Sequence, residues 1–325
     1  MKVNFIVEDM FFFKYVGCAT AARMLYDALH NHTDLSLSWN SPDTDVDIVH
    51  FHTFGPQALI YRHRSRGVNV ITAHSTPRLN RENLAFSGVI NLFYPRIYQG
   101  FDHIIAISER SRGEVKDMAP SVPVTLIPNG IDRVKFYPDY EKRHRFREYY
   151  HISKEAKVVL TVAQQTPRKG IFDFMRLARS CPELTWVWVG GFPYGIFSKQ
   201  YFHIQRMKGR CGSNTLFTGF VPDITEAYCG ADLFFMPSHA EGMSIVLLEA
   251  LASGLPCVVR DIPEFREMFG DEGLYFRTTD EAARMVSADD RLREAASRAR
   301  ELSGTYDSAR SAHRHLDLYR ELLRS

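Results

Sequence analysis

The sequence predicts an α/β protein made of two doubly wound domains, each with a parallel sheet between helices. Short apolar runs alternate with stretches of helical spacing, and the alternation begins again after residue 150. The length of 325 residues suits about two domains. Because parallel strands need a crossover between them, the alternation favours parallel over antiparallel pairing. We expect the two domains to face each other across a cleft.

Elements of the first domain occupy residues 1–133. A helix is predicted over Gly17–His30, where apolar residues recur at helical spacing. The runs predicted as buried strands are Lys2–Val7, Asp47–His52, Val68–Thr72, His103–Ile107 and Val124–Ile127.

Elements of the second domain occupy residues 134–304, after a linker placed near Ile131–Pro138. A helix over Ser244–Ser253 is stopped by the glycine and proline that follow it. The tail 305–325 is predicted as a helix that crosses back to the first domain. The predicted strands are Val158–Val162, Leu184–Val189, Thr215–Thr218, Leu233–Met236 and Pro256–Val259.

Composition and charge exclude several classes of protein. The 40 basic and 38 acidic residues give a net charge of +2, which is no nucleic-acid signature. No apolar run approaches the ~18 residues that span a bilayer, and acids interrupt the N-terminal run too early for a signal peptide. The five cysteines are scattered without a CxxC pair, which favours a reducing cytoplasm without a zinc site.

The most informative stretch runs from the end of a predicted strand into the helix that follows it. Glu241 and Gly242 lie in the loop, and Glu249 lies inside an apolar helix, where a carboxylate is costly without partners. Sugar hydroxyls would satisfy Glu249, although an internal salt bridge would also. The free N–H groups of the first helical turn, near Met243–Val246, suit a phosphate.

These residues resemble a known enzyme family. Glu241 and Glu249, eight positions apart between Pro237-Ser238 and the Ala250–Pro256 segment, are similar to the signature of retaining GT-B glycosyltransferases of family 4. The resemblance implies that Glu249 binds the nucleotide ribose and Glu241 the donor sugar. It also implies that the backbone between them contacts sugar and phosphate, through Gly242, Met243, Ser244 and Ile245.

Other positions match the same family. Arg168 and Lys169 follow a strand and could neutralise a diphosphate, although alone they could be a solvated basic loop. By resemblance, His74 lies beside the donor sugar. Gly17 corresponds to the glycine-rich loop near the phosphates, here with one glycine instead of a pair, and Val221 belongs to the segment at the nucleobase.

Two further motifs look like ligand-binding motifs, but we interpret them as having no such function. Asp45-Val46-Asp47 looks like the metal-binding DxD of other glycosyltransferases, but it precedes a strand, whereas ligand sites in these sheets follow strands. We therefore expect no metal and no cofactor other than the donor substrate. Gly190-Gly191 lacks the remaining glycines of a dinucleotide-binding loop, which disfavours an oxidoreductase.

The acceptor is predicted from a subfamily resemblance, to diacylglycerol glucosyltransferases. Phe11–Lys14, His50–Pro56, Arg168–Phe174, Trp186–Gly190 and Arg260–Pro263 carry it. Residues 62–96 add six arginines against one acid, amid apolar residues such as Phe86 and Phe93, which suits an anionic membrane surface. A solvated basic face beside core residues is the plainer interpretation. A second basic run, Lys142–Arg147, is predicted as the exposed face of a helix.

The function predicted from these patterns is transfer of a hexose from a nucleotide sugar, UDP-glucose above others, to a lipid hydroxyl with retention of configuration. The enzyme would be cytoplasmic and peripheral at the inner face of the cell membrane. The main alternative is a family 4 enzyme that glycosylates a soluble or polyprenyl-linked glycan, for example from GDP-mannose. A non-catalytic binder of sugar nucleotides is disfavoured by intact Glu241, Glu249, Arg168 and Lys169.

Overall fold

The computed structural model describes residues 1–8, 17–30, 32–81, 88, 91–192 and 195–324. The Phe11–Lys14 stretch and several residues of the predicted membrane region, including Glu82, Phe86 and the Arg81 side chain, lie outside the described residues. The chain divides into two compact units, which are described separately. The first unit is Met1–Gly130 with Tyr306–Ser325, and the second is Ile131–Thr305.

The first unit contains a six-stranded parallel sheet in the order β2-β1-β3-β4-β5-β6. Its strands are β1 Lys2–Ile6, β2 Ser36–Trp39, β3 Ile48–Phe51, β4 Val68–Ala73, β5 His103–Ala106 and β6 Val124–Leu126. Its helices are α1 Gly17–Leu29, α2 Pro56–Arg64, α3 Pro77–Arg81, α4 Tyr94–Tyr98, α5 Glu109–Met118 and, from the end of the chain, α14 Ser308–Leu322.

The second unit contains another six-stranded parallel sheet, in the order β12-β11-β10-β7-β8-β9. Its strands are β7 Val158–Val162, β8 Thr185–Val189, β9 Thr215–Gly219, β10 Leu233–Met236, β11 Cys257–Arg260 and β12 Leu274–Phe276. Its helices are α6 Tyr140–Tyr149, α7 Ile171–Ser180, α8 Tyr201–Lys208, α9 Ile224–Gly230, α10 Ile245–Ala252, α11 Pro263–Phe269, α12 Thr279–Val286 and α13 Asp289–Gly304. Short 3-10 turns lie at Pro167–Lys169, Gly195–Phe197 and Gly270–Glu272.

The central strands are apolar at consecutive positions because helices cover both faces of each sheet. In the second unit, Trp186 and Trp188 of β8 are fully buried and meet Phe174 of α7 edge-on, at centroid distances of 5.4 and 5.0 Å. The Trp188 indole N–H donates to the Ala163 carbonyl at 2.8 Å, so its polar end is satisfied. The aromatic contacts fix β8 against α7, and the hydrogen bond fixes it to the residue that follows β7.

Helix α14 completes the core of the first unit. Leu316 and Tyr319 of α14 are buried in the same cluster as Leu25 and Leu29 of α1 and Val3 of β1. Asp307 caps the helix by accepting a hydrogen bond from the Ala309 N–H at 2.8 Å. None of the helices in the described parts of the chain is long and apolar enough to cross a membrane.

The structure confirms the predicted parallel α/β architecture and differs in detail. Strands β2 and β12 were not predicted, because Ser36–Trp39 alternates with serine and Leu274–Phe276 is only three residues long. Both are edge strands, which need less apolar sequence. The prediction that Lys142–Arg147 forms one exposed face is wrong for Arg147. Its guanidinium is buried and donates to Asp232 Oδ2 at 2.7 Å.

Candidate active site

The strand order places a candidate site at one position in the second unit. The chain winds outward from β7 through β8 and β9 in one direction, and through β10, β11 and β12 in the other. Between β7 and β10 the order reverses, and a crevice opens at the carboxyl ends of such strands. The loops that follow these two strands contain Arg168, Lys169 and Glu241, which are the residues predicted from sequence.

These three charged residues form a buried cluster. Lys169 Nζ lies 2.6 Å from Glu241 Oε1, and Arg168 Nη1 lies 3.7 Å from Glu241 Oε2. Burial opposes the charges of both Glu241 and Lys169. The two cations nevertheless hold the pKa of Glu241 below its usual value, while burial keeps the pKa of Lys169 lowered. Two cations on one carboxylate leave the cluster with a surplus positive charge.

The two loops are also fastened through their backbones. Arg168 Nη1 donates to the Ala240 carbonyl at 2.6 Å, and the Arg168 carbonyl accepts from the His239 N–H at 2.8 Å. Gly170 has φ +76°, and a Cβ at this position would lie 2.3 Å from the Pro237 carbonyl oxygen. Only glycine therefore permits this close approach, and Arg168 supports the loop that contains Glu241 in addition to contributing its charge.

A third loop contact comes from α7 and the end of β11. Asp173 of α7 lies 3.2 Å from His239 Nε2 and forms an ion pair with Arg260. Arg260 Nε also donates to the Pro237 carbonyl at 3.0 Å. Half-exposed His239, two residues before Glu241 in the chain, is thus held by Asp173, an arrangement that sequence analysis did not predict.

The start of α10 lacks a side-chain cap. Ser244 is its N-cap residue, but the Ser244 side chain makes no capping bond and points instead to Met236 Sδ at 3.4 Å. Gly242 and Met243 are half-buried in the preceding loop, and Ile245 is the first helical residue. Backbone N–H groups at a helix start without a side-chain cap are suited to anion binding.

Glu249 lies in the second turn of α10, in an environment unlike that of Glu241. It is buried, and no cation in the described part of the chain forms an ion pair with it. Its partner is the Tyr228 hydroxyl, which donates to Glu249 Oε2 at 2.6 Å. Burial raises the pKa of Glu249 to about 7. Tyr228 was missed from sequence because a lone tyrosine in a short helix gives no signal.

The remaining residues predicted at the nucleotide follow β9. Val221 is half-buried, and neighbouring Phe220 is exposed. Gly219 has φ +72°, and its carbonyl accepts from the Gly190 N–H at 2.7 Å. The chain therefore turns away from the sheet at this point and leaves backbone groups of residues 219–221 at the strand ends.

Two predicted residues belong to the first unit. His74 follows β4, is half-buried, and lies 3.0 Å from His52 Nδ1 through its Nε2 atom. Gly17 is the first residue of α1, and a Cβ there would meet nothing within 4 Å. The protein's own packing therefore does not require glycine at position 17, unlike at position 170.

The Asp45 and Asp47 side chains bind Lys2 at the start of β1. Asp45 pairs with Lys2 Nζ at 3.2 Å, and Asp47 Oδ2 accepts from the Lys2 N–H at 2.7 Å. Within the described ranges, no three His, Cys, Asp or Glu residues are grouped as a metal site would need.

Comparisons with known proteins identify the family. A Glycosyltransferase Family 4 description matches residues 17–135, and a Glycosyl transferases group 1 description matches residues 156–294. The processive diacylglycerol alpha-glucosyltransferase of Acholeplasma laidlawii is 32% identical over 231 residues, which are 69% of this chain and 68% of that protein. The alpha-galactosylglucosyldiacylglycerol synthase of Streptococcus pneumoniae is 28% identical over 277 residues, 81% of this chain and 72% of that one.

Solved structures share the fold over nearly the whole chain. Anabaena HepE in complex with UDP-glucose superposes with a TM-score of 0.82 and 17% identity, covering 99% of this chain and 100% of that one. Sucrose-phosphate synthase from Thermosynechococcus elongatus gives a TM-score of 0.82 and 17% identity, covering 100% and 99%.

The chain is therefore a glycosyltransferase with the GT-B architecture of two Rossmann-like domains. It belongs to glycosyltransferase family 4 and is a hexosyltransferase.

The raised pKa of Glu249 predicts a stability change. An unfolded glutamate has a pKa of about 4.3. Between about pH 4 and pH 7 the folded state therefore holds more protons than the unfolded state, and the free energy of unfolding falls as the pH rises. Glu249→Gln removes this titration and keeps an acceptor for Tyr228. We expect the variant to be more stable than wild type at pH 8, by up to about 3 kcal/mol.

Thermal unfolding at pH 5 and pH 8 measures this effect. The advantage of Glu249→Gln should shrink at pH 5, and Glu301→Gln, at an exposed position in α13, should show no such difference. An equal effect of Glu249→Gln at both pH values would contradict the raised pKa.

Proposed function

We propose that this enzyme transfers glucose from UDP-glucose to a lipid hydroxyl, such as that of diacylglycerol, with retention of configuration. The observation that carries the donor site is the Glu241 cluster, followed in the chain by the uncapped start of α10, at the point where the strand order reverses. An anionic diphosphate is the ligand that a surplus positive charge and the backbone N–H groups of a helix start attract.

In this proposal each charged group has one task. Lys169, Arg168 and the start of α10 stabilise the charge that develops on the departing diphosphate. Glu241, already held by both cations, binds hydroxyls of the donor sugar. His74, as the family resemblance implies, also contacts the donor sugar. Glu249 accepts hydrogen bonds from the ribose hydroxyls, for which its Oε1 atom remains after Tyr228 has bound Oε2.

The lipid acceptor is supported by the relatives and by the surface of the first unit. The two relatives described above have lipid glycosylation in their names. Leu92 and Phe93 are exposed, at 76% and 51%, next to exposed Arg96. Leu59 and Ile60 of α2 are exposed as well, and α2 ends in the basic residues Arg62, His63 and Arg64. Exposed apolar side chains among cations suit the surface of an anionic membrane, which we propose this enzyme binds as a peripheral protein of the cytoplasmic face.

A mannosyl donor is the second candidate. The GDP-mannose-dependent mannosyltransferase of Mycolicibacterium smegmatis that acts on phosphatidylinositol monomannoside is 31% identical over 179 residues, 50% of this chain and 45% of that protein. Measuring hydrolysis of UDP-, GDP- and ADP-sugars separates the two donors. Hydrolysis of GDP-mannose in preference to UDP-glucose would replace the first proposal with the second.

Nucleotide binding should depend on the ionised form of Glu249. Because a carboxylate accepts two ribose hydroxyls better than the protonated acid, UDP should bind more tightly at pH 8 than at pH 6. Glu249→Gln should weaken binding by about 1.5–3 kcal/mol at pH 8 and remove the pH dependence. Calorimetric titration with UDP measures both.

Tyr228→Phe is the matched variant. Loss of the phenol hydrogen bond raises the pKa of Glu249 further, so the rise in affinity should move to higher pH while binding at high pH survives. Unchanged UDP affinity in folded Glu249→Gln would exclude the ribose role.

Activity should persist in excess EDTA. The cationic cluster supplies the charge that a divalent ion supplies in other glycosyltransferases, and Asp45 and Asp47 are occupied with Lys2. The measurement is release of UDP with and without EDTA. Loss of activity that manganese or magnesium restores would show that a metal takes part.

Membrane binding should depend on exposed arginines of the first unit. Arg78 is a poor choice for this test because its Nε atom pairs with Glu114 at 2.7 Å. Replacing exposed Arg64, Arg66 and Arg96 with serine should release the protein from anionic vesicles, at roughly 1 kcal/mol for each cation. Added salt should have the same effect.

Vesicle sedimentation measures this binding. The control replaces Arg206, Arg210 and Arg291 with serine; these arginines are exposed in the second unit and form no ion pair with another described residue. The control changes net charge equally and should leave vesicle binding and UDP release intact. Equal loss in both triple variants, or binding to neutral vesicles alone, would contradict a membrane surface on the first unit.

A further inference from the structure

Four polar side chains share one face of the first sheet, at its carboxyl edge. Strands β3 and β4 are parallel neighbours, with Phe51 paired to Ile71. Because alternate residues along a strand point to the same side, His50 and His52 share a face, as do Thr72 and His74. Helix α14 covers this face and places Tyr319 against His50.

The side chains on this face form two short hydrogen-bonded groups. His50 uses both ring nitrogens, with Nδ1 2.6 Å from the Tyr319 hydroxyl and Nε2 2.7 Å from the Thr72 hydroxyl. His52 Nδ1 lies 3.0 Å from His74 Nε2. The His50 and His52 rings are in contact, with centroids 4.2 Å apart.

One proton lies between His52 and His74, and the surroundings of His52 decide which ring carries it. Burial lowers the pKa of His52 and takes that of His74 to about 3, so both rings are neutral near pH 7. A neutral imidazole has one N–H. His52 Nε2 is buried and has no hydrogen-bond partner in the described part of the chain. A buried N–H without a partner is rarer in proteins than an acceptor without one. Judged from the described residues, Nε2 of His52 therefore carries no proton.

We propose that His52 is a positioning residue for His74: its Nδ1–H donates to His74 Nε2 and so fixes the His74 proton on Nδ1. His74 Nδ1 is then a fixed donor, ready for a hydroxyl or phosphate oxygen of the donor substrate. This inference rests on the proposed function, in which His74 contributes to the sugar site. His52 itself touches no substrate in this arrangement.

The surroundings of His52 limit its ring to one orientation. Phe5 stacks on it at a centroid distance of 5.3 Å, and the His50 ring contacts it as well. The backbone N–H of His52 donates to the Ile6 carbonyl at 3.0 Å, which anchors the residue to β1. His50 is fixed in turn by Tyr319, so α14 supports the orientation of His74 through two intervening rings.

The tautomer is measurable without any substrate. In protein with nitrogen-15-labelled histidine, two-bond proton–nitrogen spectra distinguish protonated from bare ring nitrogens, and His74→Gln assigns the signals. We expect His74 protonated on Nδ1 and His52 protonated on Nδ1. A His74 ring protonated on Nε2 would overturn the proposal whatever the enzyme's substrate is, so this result is independent of the proposed function.

Two variants of matched shape test the consequence for catalysis. The amide nitrogen of asparagine is as many bonds from Cα as Nδ1 of histidine, so His52→Asn can still donate to His74, whereas His52→Leu cannot. In UDP release from UDP-glucose, His52→Leu should lower kcat by about tenfold with little change in KM, the effect of losing one ordinary hydrogen bond in the reacting complex. His52→Asn should restore most of that loss.

The spectra separate positioning from packing. His52→Leu should give His74 a mixture of tautomers, and His52→Asn should keep the single Nδ1–H form. A kcat lowered equally in both variants, or a His74 signal unchanged in His52→Leu, would show that His52 only fills space. Should His52→Leu fail to fold, the wild-type tautomer and the His52→Asn spectrum still decide the proposal. Absence of UDP release from every nucleotide sugar in the wild type would instead count against the proposed function.

Discussion

The ion pair between Lys169 and Glu241 holds together the two loops on which the candidate donor site is built. Removing charged groups from water is costly, and here two cations and one carboxylate offset that cost for each other. The same residues join the loops through backbone contacts, from Arg168 to residues 239 and 240. The loops after β7 and β10 therefore act as one rigid element, and the uncapped start of α10 takes its position from them.

The two glutamates have the same side chain, but their surroundings shift their pKa values in opposite directions. Glu241 is buried among cations and stays ionised, whereas Glu249 is buried against a phenol and titrates near neutrality. Opposed pKa shifts in one short segment are typical of functional sites rather than of packing. Glu249 thus remains in a costly environment that a structural role alone would not require.

Sequence patterns predicted the sheets because continuous apolar runs such as Val158–Val162 leave little choice of structure. The edge strands β2 and β12 escaped prediction, since solvent on one side relaxes that pattern. For the site, the spacing of Glu241 and Glu249 and the Arg168-Lys169 pair carried the prediction. Tyr228 and His52 could not be found in this way, because their importance comes from partners 21 and 22 residues away in the chain.

Helix α14 has a consequence for how the molecule is made. The second unit occupies one uninterrupted stretch, Ile131–Thr305, whereas the first unit is built from both ends of the chain. During synthesis the apolar side chains of α1 and β1 emerge early, yet their partners Leu316 and Tyr319 are added only after the whole second unit. The sheet of the first unit therefore cannot bury its whole core until the second unit has been synthesised. This reverses the usual order, in which the N-terminal domain of a chain completes its folding first.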